Sequence, residues 1–172
     1  MENHKELQEI IRLSKDYNLV PIARTLLADT ETPIRVFQHF YEEPYAFLLE
    51  SVEGGANLAR YSFIGTDPFM IIKSKQGKVV VERQGAESEV LTDKPVESLR
   101  KLVKNYSSPA LPDLPRFTGG AVGFFGYDLL QYYESIPSHA SDDLNMNDIE
   151  FMFWFHETSS ANHSSKNEIS SF

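Results

Sequence analysis

The chain contains no cysteine. That excludes disulfides, thiol nucleophiles and thiolate metal sites. It has no apolar run approaching the roughly 18 residues that a membrane-spanning helix requires, and its first segment, Met1 to Tyr17, is charged and amphipathic rather than a signal peptide. Cations are in deficit. Against 25 Asp and Glu there are 16 Lys and Arg, a formal net charge of -9 and a pI near 5.0. A nucleic-acid partner, whose phosphates attract clustered Lys and Arg, is therefore not expected. These absences point to a soluble, acidic, cytoplasmic protein with no membrane and no nucleic acid among its partners.

Catalytic signatures are also missing. His4, His39, His139, His156 and His163 never stand four apart beside a carboxylate on a predicted helix, so no HExxH-like metal set exists. There is no GxSxG elbow, and the scattered Ser and Asp read as turn formers. The pairs Glu42-Glu43 and Asp142-Asp143 adjoin turns and read as solvated. The run from Gly119 to Gly126 fits neither GxGxxG nor GxxxxGK[ST], and no Lys follows it. It reads instead as a glycine-rich strand against which another element packs closely, with Phe124 and Phe125 on opposite faces. Catalytic residues, metal ligands and cofactors of this chain are accordingly expected to be none.

What is present is core material and a clear order of elements. The chain has 172 residues, 41% of them hydrophobic, with 12 Phe and 8 Tyr, enough for one domain with a core. Leu7, Ile10, Ile11 and Tyr17 predict a packing helix over 6–17. Leu19 to Leu27 reads as extended. Thr32-Pro33 predicts an N-cap and first-turn proline for a helix through Tyr41, with Ile34, Phe37 and Tyr41 as its buried stripe. Strands are expected over 45–51 and 61–64 around a Gly54-Gly55 loop, ending at Asp67-Pro68. Hairpins follow, with 69–74 and 78–83 flanking Gln76-Gly77 and a short run ending at Leu91.

Pro95 with Val96, Leu99, Leu102, Val103 and Tyr106 predicts a further helix. Pro109, Pro112 and Pro115 make 107–115 an extended connector. Asp128 is expected to cap a short helix over 129–134, and the apolar run 149–155 to be a strand that needs a partner. The tail, 156–172, with six serines and no apolar periodicity, is expected to be disordered. The organisation so read is a helix over 1–17, a body over 18–155 and an atypical tail over 156–172, with no internal repeat.

Four pieces carry a resemblance. Leu26-Leu27-Ala28-Asp29-Thr30-Glu31-Thr32-Pro33, Leu48-Leu49-Glu50-Ser51, Arg60-Tyr61-Ser62-Phe63-Ile64-Gly65 and the run from Gly119 to Asp128 resemble, in that order, the amino-terminal region of anthranilate synthase component I. The resemblance covers about residues 19–153, under half of the family's usual length. It implies an α+β fold of antiparallel sheets packed with covering helices, of which this is the amino-terminal part.

It also implies a parent enzyme, a lyase of tryptophan biosynthesis, that converts chorismate and glutamine-derived ammonia to anthranilate and pyruvate. The chorismate-binding, magnesium-ligating half of that parent is not in this chain, so inactivity alone is expected. The implied partners are L-tryptophan as feedback ligand and a glutamine amidotransferase subunit, component II. The tryptophan-lining residues implied by the LLES piece are Ser51, then Glu50 and Leu49, with Arg60 and Tyr61 on the neighbouring segment. A hydroxyl such as that of Ser51 can serve either an ammonium or a carboxylate, whereas consecutive strand residues face opposite ways unless the strand ends or bulges there. After Phe153 the Ser- and Asn-rich switch departs from the family and suggests a frameshift or truncation. Aminodeoxychorismate synthase component I, which shares this region, a stand-alone amino-acid-binding or docking module, and a remnant without function are the alternatives.

Overall fold

A computed structural model describes residues 2–50, 61–92, 94–112, 114, 118–137, 142–154, 159–162 and 168–171. The Gly54-Gly55 loop, Pro115, Phe117 and the histidines at 139, 156 and 163 lie outside the described residues. No helix in the described part is long and apolar enough to cross a membrane. The architecture is α+β, with two five-stranded sheets, antiparallel wherever a register is defined. Where the sequence alone suggests one body over 18–155, contacts gather in two compact units: residues 1–68, 106–119 and 154–172, and residues 69–105 and 120–153.

The first unit holds helix α1 (Glu2–Leu13), strand β1 (Arg24–Leu27), helix α2 (Pro33–Gln38), β2 (Ala46–Glu50), β3 (Tyr61–Thr66), β9 (Ser159–Asn162) and β10 (Glu168–Ser171). α1 begins and ends earlier than its apolar spacing predicts, and Leu7 and Ile11 of the expected packing face are exposed while Leu13 is buried. α2 starts as read from the sequence: the Thr32 hydroxyl accepts a hydrogen bond from the Arg35 amide, 3.3 Å, with Pro33 in the first turn. It stops at Gln38, however, and the expected stripe does not form. Ile34 and Tyr41 are exposed, and only Pro33 is buried, because six residues make too short a helix to sustain a face.

The sheet of this unit runs β1-β10-β9-β3-β2. Residues 159–162 and 168–171 of the tail expected to be disordered supply two of its three inner strands, with β9 paired to β3 and β10 to β1. Composition misleads here because a ladder is built from backbone groups, and a strand edge offers unpaired donors and acceptors whatever the incoming side chains. The core lies beside β2 and β3. Phe47 and Trp154, both buried, meet edge to face with centroids 4.6 Å apart, and Ile64 is buried in the same unit.

The second unit holds β4 (Met70–Lys75), β5 (Lys78–Arg83), β6 (Glu89–Leu91), helix α3 (Pro95–Lys104), β7 (Gly120–Phe125), a 3-10 turn (Tyr127–Tyr132) and β8 (Ile149–Trp154), whose last residue counts with the first unit. Its sheet order is β6-β5-β4-β8-β7. Gln76 and Gly77, at φ 49° and 79°, turn β4 into β5 as the sequence predicts. Along β4, Met70, Ile72 and Ser74 alternate into one buried layer with Val79, Val81, Ile149 and Phe153. Each fully buried aliphatic or aromatic side chain there contributes about 1.5–3 kcal/mol. β8 lies between β4 and β7, so the apolar run has the partners it requires. α3 buries Pro95, Ser98, Leu99 and Leu102, whereas Val103 of the predicted stripe is exposed.

Candidate functional site

Two of the recognised pieces prove to be one hairpin. β2 carries Leu48, Leu49 and Glu50 of the LLES run, and β3 carries the RYSFIG run from Tyr61 onward; their register pairs Leu48 with Ile64, Leu49 with Phe63 and Glu50 with Ser62. At the other end Phe47 faces Gly65. A Cβ on Gly65 would run into the Phe47 ring, so glycine there is what lets the ring seat against Trp154. The strand pair is thus anchored by buried aromatics at its Phe47–Gly65 end.

The expected ligand-lining residues fall at the opposite end. Leu49 and Glu50 close β2 and are both exposed, Leu49 by 44%. The described register runs as far as Glu50 opposite Ser62. Tyr61 opens the facing strand. Ser51 and Arg60 lie outside the described residues. The described chain thus brings Leu49, Glu50 and the backbone of Tyr61 to the same end of the β2–β3 pair.

The glycine run lies in the second unit as β7 and its continuation. A Cβ on Gly123 would collide with the Glu150 carbonyl oxygen and the Phe151 Cα of β8, so this glycine permits close strand approach, as its sequence suggests. Phe125 packs against Phe151 with centroids 4.8 Å apart. Asp128 does not cap the following turn. The cap position is Gly126, whose amide donates to the Asp148 carbonyl at 2.7 Å, while Asp128 accepts from the Gln131 side chain at 3.1 Å.

Beside this turn is a cleft of about 590 Å³ that sequence reasoning did not find. Its floor is a polar relay. Tyr132 donates its hydroxyl proton to Asp148 at 2.5 Å and accepts from the Gly77 amide at 2.6 Å, and Asp148 also accepts from the Gln76 amide at 2.9 Å. Desolvation, then the Asp148 hydrogen bond, push the Tyr132 hydroxyl up to about 12. Lys75 reaches Asp142 at 2.7 Å and Asn145 at 2.5 Å. Its hydrogen bond holds the Asp142 carboxyl below the ordinary range. Residues so far apart in the chain leave no local signal; the aromatic repeat Tyr127, Tyr132, Tyr133 is the one trace a sequence reading could have followed.

No three His, Asp or Glu residues are grouped to hold a metal ion among the described residues.

Comparison with known proteins gives a consistent result. No family model matches the chain. It is 45% identical over 148 residues to anthranilate synthase component 1 of Acetivibrio thermocellus, covering 86% of this chain and 30% of that protein. It is 34% identical over 150 residues to the protein of the same name from Aquifex aeolicus, again covering 30% of it. Among solved structures, anthranilate synthase component I from Streptococcus pneumoniae superposes with a TM-score of 0.51 at 25% identity, over 83% of this chain and 30% of that one. The chain spans about three tenths of the length of the relatives it matches. Over that span the chain is similar to a part of anthranilate synthase component I.

Proposed function

We propose that this chain is the tryptophan-sensing, regulatory region of anthranilate synthase component I, without catalytic activity of its own. The parent reaction would join chorismate to glutamine-derived ammonia and release anthranilate and pyruvate, with a glutamine amidotransferase as partner subunit. Magnesium and the chorismate site would lie in the part of the relatives that this chain does not span. The observation that supports the sensing role most is the antiparallel pairing of the two recognised pieces, which places Leu49, Glu50 and the backbone of Tyr61 at one end of the same strand pair.

An amino-acid ligand needs an acceptor for its ammonium, a donor for its carboxylate and an apolar slot for its side chain. Glu50 can supply the first, the Ser51 hydroxyl the second, and Leu49 part of the third. Arg60 is a further donor for the carboxylate. Other walls of the pocket would come from the rest of the parent, so this chain holds part of a site. The test is calorimetric titration with L-tryptophan, with Ser51→Ala as control. Heat of binding that disappears in the variant supports the reading. A folded chain that takes up tryptophan equally well with Ser51→Ala places the ligand elsewhere, and a folded chain with no heat rules out an autonomous site.

A further inference from the structure

We propose that the cleft of the second unit is a docking site for a cationic, aliphatic-rich segment of a partner protein. The inference stands apart from the tryptophan reading, which concerns the other unit.

Exposed apolar side chains scattered singly are ordinary; gathered around one concavity they mark a binding surface. Here Tyr127 is 85% exposed, Leu144 74%, Met146 55% and Phe125 54%, and all four line the same cleft. Tyr, Phe and Met are the residue types enriched at protein interfaces. A rigid floor lies beneath them, because Tyr132, Asp148 and the Gln76-Gly77 turn are tied together by three short hydrogen bonds.

Charge decides the occupant. The lining includes four carboxylates, Asp128, Asp142, Asp143 and Asp148, against one ammonium, Lys75, which Asp142 and Asn145 already engage. Among the described residues Asp128 accepts from the neutral Gln131 amide, and neither Asp128 nor Asp143 has an ion-pair partner. A Lys or Arg entering the cleft meets two carboxylates that have no cationic partner among the described residues, while its stem and an adjacent aliphatic residue cover Tyr127 and Leu144. A second copy of this chain brings a net charge of -9 and is repelled. A small amine would be poorly enclosed in so open a cleft, since small-ligand sites bury most of the ligand's surface.

The probe is a fluorescein-labelled Lys-Leu-Gly repeat peptide added to the whole chain at low salt, with Glu-Leu-Gly and Lys-Gly-Gly repeats as controls. Binding of the first, none of the second and weaker binding of the third are expected, and affinity should fall as salt is raised. The double variant D128N/D143N should weaken binding about tenfold, the scale of two partly screened charge contacts, and Tyr127→Ala should weaken it without altering the salt dependence. Affinity unchanged in both variants overturns the proposal. So does displacement of the peptide by phenethylamine at equal concentration, which would make the cleft a small-amine site. Self-association abolished by Tyr127→Ala would assign the cleft to a second copy. Displacement by the separately expressed remainder of the Acetivibrio thermocellus relative would assign it to the parent's own chain.

Discussion

A buried hydroxyl illustrates how far a single residue can depart from what its neighbours want. Ser74 sits at 1% exposure in the layer formed by Met70, Ile72, Val79 and Ile149, and its Oγ has no hydrogen-bond partner. Desolvating a hydroxyl without a partner costs about 1–3 kcal/mol. Ser74→Ala removes the oxygen, keeps the Cβ and opens little space. It is expected to raise stability by about 1 kcal/mol in urea denaturation, with an unchanged slope. A loss of stability would mean that the oxygen is satisfied in solution. Nothing in the sequence singles out this serine, because its burial follows from register with β5 and β8. Gly123 is the opposite case. Its place in a glycine-rich apolar run predicts close approach, and the approach is to the backbone of β8. The residue type is local information; the element it meets is not.

At the scale of elements, what could be read followed from short-range chemistry. The Gln76-Gly77 turn, Thr32-Pro33 at the start of α2, and Pro95 at the start of α3 each act within a few residues, and each is where its sequence puts it. Faces were harder. Ile34 and Tyr41 repeat at helical spacing in a helix too short to use them, and the α3 face is built partly on Ser98. The tail was not legible at all, since β9 and β10 depend on the edges of β1 and β3, far away in sequence.

That dependence is testable. β1 is paired only with β10 among the described residues, and Ile169 stands opposite Leu26 on one side and Ala161 on the other. Proline at 169 removes a ladder donor and fixes φ in a strand flanked on both sides. Ile169→Pro is expected to speed amide exchange at residues 24–27 by about tenfold or more, while residues 70–75 in the other sheet keep their protection. Equal exchange at 24–27 in the two proteins would sink the pairing of β10 with β1. The strand pair at Leu49 and Glu50 shows the same division of information: its motif was recognisable, but that LLES and RYSFIG are cross-strand partners is a fact of register.

For the whole molecule, the titrating groups set a window of stability. On the acid side, the carboxyls of Asp142, Glu97 and Glu9 are held below their ordinary values by hydrogen bonds from Lys75, Tyr133 and Arg12 respectively. The folded state binds these protons less readily than the unfolded one. Their contribution is therefore in place above the ordinary carboxylate range and is lost as pH falls through the lowered values. On the alkaline side the sign reverses. Burial and the Asp148 hydrogen bond raise Tyr132 from 10.0 to about 12, and burial with the Glu97 hydrogen bond raises Tyr133 in the same direction. The folded state holds these protons more tightly, so their contribution is complete below pH 10.0 and disappears as pH climbs toward 12. Tyr132→Phe isolates one of these groups. It strands the Gly77 amide and deprives Asp148 of its hydroxyl donor, leaving Gln76. A loss of about 1–2 kcal/mol is expected at neutral pH. The difference in unfolding free energy between native chain and variant should stay constant up to about pH 10 and shrink between pH 10 and 12. A difference that holds its size through that interval would show that the Tyr132 proton is not what the fold retains, and that the floor of the cleft is secured by packing alone.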